Sequence, residues 1–76
     1  SHGLTHITFG LSQTQDVLCQ ILDINGRIIE VLYAGDLEEG PQQLLWRASE
    51  DLAAGLYFVQ LQTEGDLQMQ KIQITH

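Results

Sequence analysis

Apolar and polar residues alternate along most of the chain, and the phase restarts six times. Residues 4–11 put Ile7, Phe9 and Leu11 on one side and Thr8 and Gly10 on the other. A polar connector at 12–16 follows, and 17–24 resumes with Val17, Cys19 and Ile21 in phase. A period of two is the signature of a half-buried strand, because successive side chains point to opposite faces of the pleat. The same reading predicts strands at 28–33, at 42–48 with Leu44, Trp46 and Ala48 in phase, at 56–63 with Tyr57, Val59 and Leu61 in phase, and at 67–75.

The segments between these runs carry turn chemistry. Asn25 and Gly26 tolerate positive φ, so they predict a two-residue type I′ hairpin, the strongest local signal in the chain. Residues 34–41 hold two glycines, Pro41 and the acids Asp36, Glu38 and Glu39, and predict a loop. Ser49 is placed to cap a single helical turn through Asp51 and Leu52, closed by Gly55, and Glu64, Gly65 and Asp66 form a tight turn. The last strand changes parity: Leu67 and Met69 share one phase, Ile72 and Ile74 the other. Either a bulge near Gln70 or Lys71 brings both pairs inside, or Leu67 and Met69 stand exposed; Ile72 and Ile74 are the preferred buried pair.

Short strands spaced by turns, with no long helical pattern, predict an all-β fold: a small antiparallel immunoglobulin-like sandwich of about six to seven strands. Its predicted core is Ile7, Phe9, Val17, Cys19, Ile21, Ile29, Leu32, Leu44, Trp46, Leu52, Tyr57, Val59, Leu61, Ile72 and Ile74. Seventy-six residues suffice for one domain, assigned to 4–76, with residues 1–3 read as a tag or linker remnant of a chain cut from a longer protein.

Charge narrows the function. Ten acidic residues against Arg27, Arg47 and Lys71 give a net charge of −7, which argues against nucleic acid and against an anionic membrane surface. No apolar run is long enough for a membrane span. Cys19, the single cysteine, cannot staple the domain and falls in phase with Val17 and Ile21, where it acts as a small buried hydrophobe. His2 and His6 lack a third ligand at zinc spacing. The acids at Asp36, Glu38 and Glu39 and at Glu50 and Asp51 lack the ordered donor spacing of a calcium loop. Ser12 and Ser49 sit in no nucleophile-elbow context, and the glycines are scattered at turns. The chain is therefore read as non-enzymatic, without cofactor or metal.

An ordered set of residues then resembles a known family. Thr5, Ile7, Phe9 and Leu11, followed by Val17, Cys19, Ile21, Asp23, Gly26, Arg27, Ile29 and Leu32, then Gly35, Gly40 and Trp46, then Leu52, Gly55, Tyr57 and Leu61, then Lys71, look like the type A C-terminal sorting domain of the type IX secretion system of Bacteroidota. The likeness runs from about Leu4 to Thr75. It implies a non-catalytic β-sandwich that addresses an upstream cargo to an outer-membrane translocon, by way of the periplasm, to a secreted or cell-surface location. It also implies a sortase-like protease that removes the domain and attaches the cargo at the surface. Carried over by position, the candidate translocon-recognition residues are Asp23, Gly26, Arg27, Gly55, Tyr57 and Lys71. Each of the first five also has a plain structural reading: Gly26 and Gly55 suit turns, Tyr57 suits the core, and Asp23 and Arg27 pair across the hairpin. Lys71 lies on the outward phase. Two departures stand out: the Pro-Asn-Pro segment common before the first strand is not in this chain, and the last strand carries Lys71 without further bases. A sandwich lacking that segment exposes an edge through which two copies could pair as a homodimer. The alternative function is a generic immunoglobulin-like interaction, spacer or carbohydrate-binding domain, for which Tyr33 and Phe58 are the candidate surface aromatics.

Overall fold

Strand alternation buries one face of each run and so requires a second layer. The computed structural model, which describes residues 4–75, supplies it as two antiparallel sheets. The strands are β1 (Leu4–Leu11), β2 (Gln15–Leu22), β3 (Ile28–Leu37), β4 (Gly40–Arg47), β5 (Gly55–Gln62) and β6 (Leu67–Ile74). One sheet has the order β3-β2-β5-β6, and the other holds only β1 and β4. The antiparallel sandwich expected from the alternation is therefore the fold. Residues 1–3, with the His2 of the His2 and His6 pair, and His76 lie outside the described residues.

Between the layers lie Ile7, Val17, Cys19, Ile21, Trp46, Tyr57, Val59, Leu61, Ile72 and Ile74, all buried. Burying a large apolar side chain contributes roughly 1.5–3 kcal/mol, so these residues carry most of the driving force. The Trp46 indole meets the Tyr57 ring edge-on at 6.4 Å, and its Nε1 donates to Glu30 Oε1 at 3.2 Å. That bond satisfies the polar atom which burial of a tryptophan would otherwise strand.

Two expectations are corrected, the loop at 34–41 and the core position of Ile29, and of the two readings of the last strand the one with Leu67 and Met69 exposed holds. Residues 34–41 are not a loop: β3 runs on to Leu37 and β4 begins at Gly40, leaving only Glu38 and Glu39 to pass the chain from one sheet to the other. Gly35 and Asp36 lie in β3, at the edge of the four-stranded sheet, and Gly40 opens β4. β6 carries no bulge; it pairs evenly with β5 from Gly55 opposite Ile74 to Gln62 opposite Leu67. Ile72 and Ile74 face inward, while Leu67 and Met69 stand outside. The irregularities fall in β3 instead, where register shifts leave Ile29 and Leu32 as extra residues opposite β2. Ile29 is consequently exposed rather than in the core. Leu11, Leu22 and Ala48 are buried in addition to the expected set. At the β4–β5 connection Leu52 N donates to Ser49 O and Asp51 N to Ser49 Oγ, the single turn capped by Ser49 that the sequence predicts.

Two strands cannot cover four. Because β3 passes directly to β4, the outer edge of β1 stands on the β6 side, and the sandwich gapes there. Gln68 and Gln70 share the inward face with Leu61 and Val59, their partners across the ladder, yet both are exposed. A cleft of about 480 Å³ opens at this side between Phe9, Leu11, Leu61 and Gln68.

Candidate recognition surface

The β2–β3 hairpin is built by the Asp23 side chain. Its Oδ1 accepts from Asn25 N at 2.8 Å and from Arg27 N at 2.9 Å, and its Oδ2 accepts from Arg27 Nε at 3.4 Å. The turn differs from the two-residue type expected. Gly26 N donates to Asp23 O and Asp23 N to Arg27 O, which closes a three-residue loop. Only Gly26 has positive φ there, at 84°, and Asn25 does not. A four-residue turn followed by a left-handed glycine is the common three-residue hairpin solution. The Arg27 amide bond above all holds the Asp23 carboxyl below its ordinary value, against the opposing cost of burial and with lesser help from the Asn25 amide and the Arg27 guanidinium. Arg27 itself is largely exposed, at 82% of its side chain, so its ion pair with Asp23 adds little stability and leaves the guanidinium open to solvent.

Gly55 opens β5 with φ at 147°, a backbone conformation that L side chains rarely adopt. Two residues on, Tyr57 is buried, and its hydroxyl donates to Ala53 O at 2.6 Å, tying the β4–β5 connection to the core. Lys71 is exposed and lies opposite Phe58 on the outer face of the four-stranded sheet. The register therefore gathers Asp23, Gly26, Arg27, Gly55 and Lys71 at one end of that sheet, with β5 between the hairpin and Lys71. Tyr57 is not among them on the surface, since it points into the core.

The two surface aromatics of the carbohydrate-binding alternative separate. Tyr33 lies opposite Cys19 on the inward face, packs against the core and donates its hydroxyl to Asp36 O at 2.6 Å. Phe58 lies on the outward face opposite Leu22. They form no common stacking platform. Cys19 is a buried free thiol, and burial pushes its pKa up, away from nucleophilic reactivity. Among the described residues no group of three His, Cys, Asp or Glu side chains could hold a metal ion, and no helix is long and apolar enough to cross a membrane.

Sequence reasoning missed the opposite end of the sheet. Asp16 and Asp36 face each other across β2 and β3, and the hydrogen bond to Asp36 and its charge, with Glu64 beyond, raise the Asp16 pKa. Pairing of 34–37 as strand was the missing step, since a loop reading leaves Asp36 without a position.

No curated protein and no solved structure matches the chain. The sequence model of the family described as "Secretion system C-terminal sorting domain" does match, over residues 1–75. With nearly the whole chain covered, and with an all-β sandwich that carries the motifs at turns and core, the chain belongs to the C-terminal sorting domains of type IX secretion.

Proposed function

We propose that the domain formed by residues 4–76 is the export address of an upstream cargo, read by the type IX outer-membrane translocon after passage through the periplasm. The family match over residues 1–75 carries this reading. The domain acts by being recognised rather than by catalysis. Removal by a sortase-like protease and attachment of the cargo at the surface follow recognition. Arg27 and Lys71, exposed at the same end of the sheet, make contacts with the translocon. Asp23, Gly26, Gly55 and Tyr57 serve recognition by holding that end in shape. The test is a reporter carrying a periplasmic export signal, a flexible linker with the Pro-Asn-Pro segment, and this domain at its C-terminus, expressed in a type IX-competent bacterium. Surface display is the expected outcome; a reporter that stays in the periplasm refutes the reading.

A homodimer through an edge strand is the second partner reading, and β1 is the edge that favours it. β3 is interrupted by two register shifts, β4 carries Pro41 and Arg47, and β6 carries Lys71, whereas β1 has no bulge, proline or charged lysine, arginine or acid. Natural sheets guard their edges with those devices. Replacing Thr8 by proline should abolish any dimer that forms through β1, measured by sedimentation equilibrium.

A further inference from the structure

The outer face of the four-stranded sheet presents exposed apolar side chains along both of its edge strands. Ladder partners give its rows across β3, β2, β5 and β6: Ile28, Leu22, Phe58 and Lys71; then Val31, Gln20, Gln60 and Met69; then Ala34, Leu18, Gln62 and Leu67. Ile28, Val31, Leu67 and Met69 are 50–57% exposed, and all four point the same way. The glutamines in the middle row do not break the surface, because Gln20 Nε2 donates to Gln60 Oε1 at 2.9 Å and Gln20 is itself buried. One end of the face carries Lys71. The other carries Asp16 and Glu64 beside a shallow depression of about 420 Å³ lined by Leu18 and Ala34, with Asp36 opposite Asp16 in the ladder.

Four strands at about 4.8 Å spacing and eight residues at about 3.4 Å make a face of about 500 Å². That is below the roughly 800 Å² that each partner contributes to a standard stable interface, so it fits a contact made and released. Its occupant must be flat, with apolar groups to meet the exposed side chains of β3 and β6 on either side of the glutamine pair. It must also be basic at the rim, because the depression joins an apolar floor to a carboxylate wall, which matches the stem and head of an arginine or lysine. A second copy is a poorer fit, since each chain carries a net charge of −7 and only three bases.

We propose that this outer face, with Val31 and Met69 at the two ends of its middle row and Asp16, Asp36 and Glu64 at one end of its strands, is the surface by which the domain docks on a protein of the export machinery that is apolar, and basic where it meets those carboxylates. The inference rests on the sorting function proposed above and assigns it to one side of the sandwich. In the reporter assay, the double substitution Val31→Gln, Met69→Gln and the single substitution Glu64→Lys should each lower the surface-to-periplasm ratio about tenfold, as expected when contacts worth about 1.4 kcal/mol are lost. Leu45→Gln removes an equally exposed leucine, 57% accessible, from the outer side of the other sheet and should leave display unchanged. Circular dichroism of each purified domain establishes that the variants are folded. Folded face variants that reach the surface as the parent does overturn the assignment while leaving the sorting function intact. A parent that stays in the periplasm overturns both. Sedimentation equilibrium provides the remaining contrast: a parent dimer that the double substitution dissociates would identify a second copy as the occupant and overturn the assignment to an export component.

Discussion

Replacing Tyr57 by phenylalanine removes one oxygen and leaves the ring in place. The lost bond runs from the hydroxyl to Ala53 O at 2.6 Å, and Ala53 lies in the exposed β4–β5 connection, so the freed carbonyl regains water. The cost is then the net value of one hydrogen bond, about 1 kcal/mol, rather than the larger penalty of an orphaned buried acceptor. For a domain of this size that corresponds to about 4–8 °C in Tm. Tyr57→Ala is different in kind, since it also removes a buried ring packed edge-on against Trp46. Truncating a buried aromatic costs about 3–5 kcal/mol, against a total of roughly 4–11 kcal/mol expected for a chain of this length. Thermal unfolding followed by circular dichroism measures both. A Tyr57→Phe domain that melts within a degree of the parent would refute the claim that the hydroxyl clamps the connection to the core. In the reporter assay, Tyr57→Phe should be displayed at the parental level, because a buried side chain acts on recognition only through the fold.

Three further outcomes follow from the structure. Asp23 and Asp16 move stability with pH in opposite directions: the folded pKa of Asp23 is lowered, so its contribution is present above the ordinary carboxylate pKa and is lost as pH falls through the folded value, whereas that of Asp16 is raised, so its repulsion weakens the fold at neutral pH and disappears on acidification. Denaturant titrations at neutral and acid pH should therefore show Asp16→Asn stabilising and Asp23→Asn destabilising at neutral pH, with both differences shrinking in acid. Gly26→Ala puts a side chain at φ 84° and should cost about 1–2 kcal/mol in a urea titration, with no steric contribution because a methyl there meets nothing within 4 Å. Cys19, fully buried, should react with a thiol reagent only after urea opens the fold; rapid labelling of the native domain would contradict its position.

Much of this architecture is written in local pattern. β1, β4 and β5 follow their alternation because each has one wet and one dry face, and Asp23 to Arg27 specify their hairpin through one carboxylate. The pattern fails in β3, where two extra residues each reverse the parity. Ile29 therefore appears in phase with the core when counted along the chain, but is exposed in the sheet. The outer apolar face was hidden for a related reason. β2 reads Val17, Leu18, Cys19, Gln20, Ile21, Leu22, apolar on both phases, and only the partners that β3, β5 and β6 place beside Leu18 and Leu22 show that the second phase belongs to a continuous surface. The family motifs have the converse character: legible in order and spacing, they fall largely on turn glycines and core side chains, and the register alone brings Arg27 and Lys71 to one end.

The mismatch between a two-stranded and a four-stranded sheet also bears on the order of folding. β2 with β3 and β5 with β6 are joined by short hairpins and can pair early, whereas β1 meets β4 only after most of the chain has been traversed, Leu4 lying beside Arg47. Closing so long a loop costs entropy before any contact repays it, which places formation of the β1–β4 layer last and makes it the rate-setting step. Until then the inner faces of β2 and β5 lie open, so the interval before the small sheet docks is when the chain is most prone to aggregate and most susceptible to proteases.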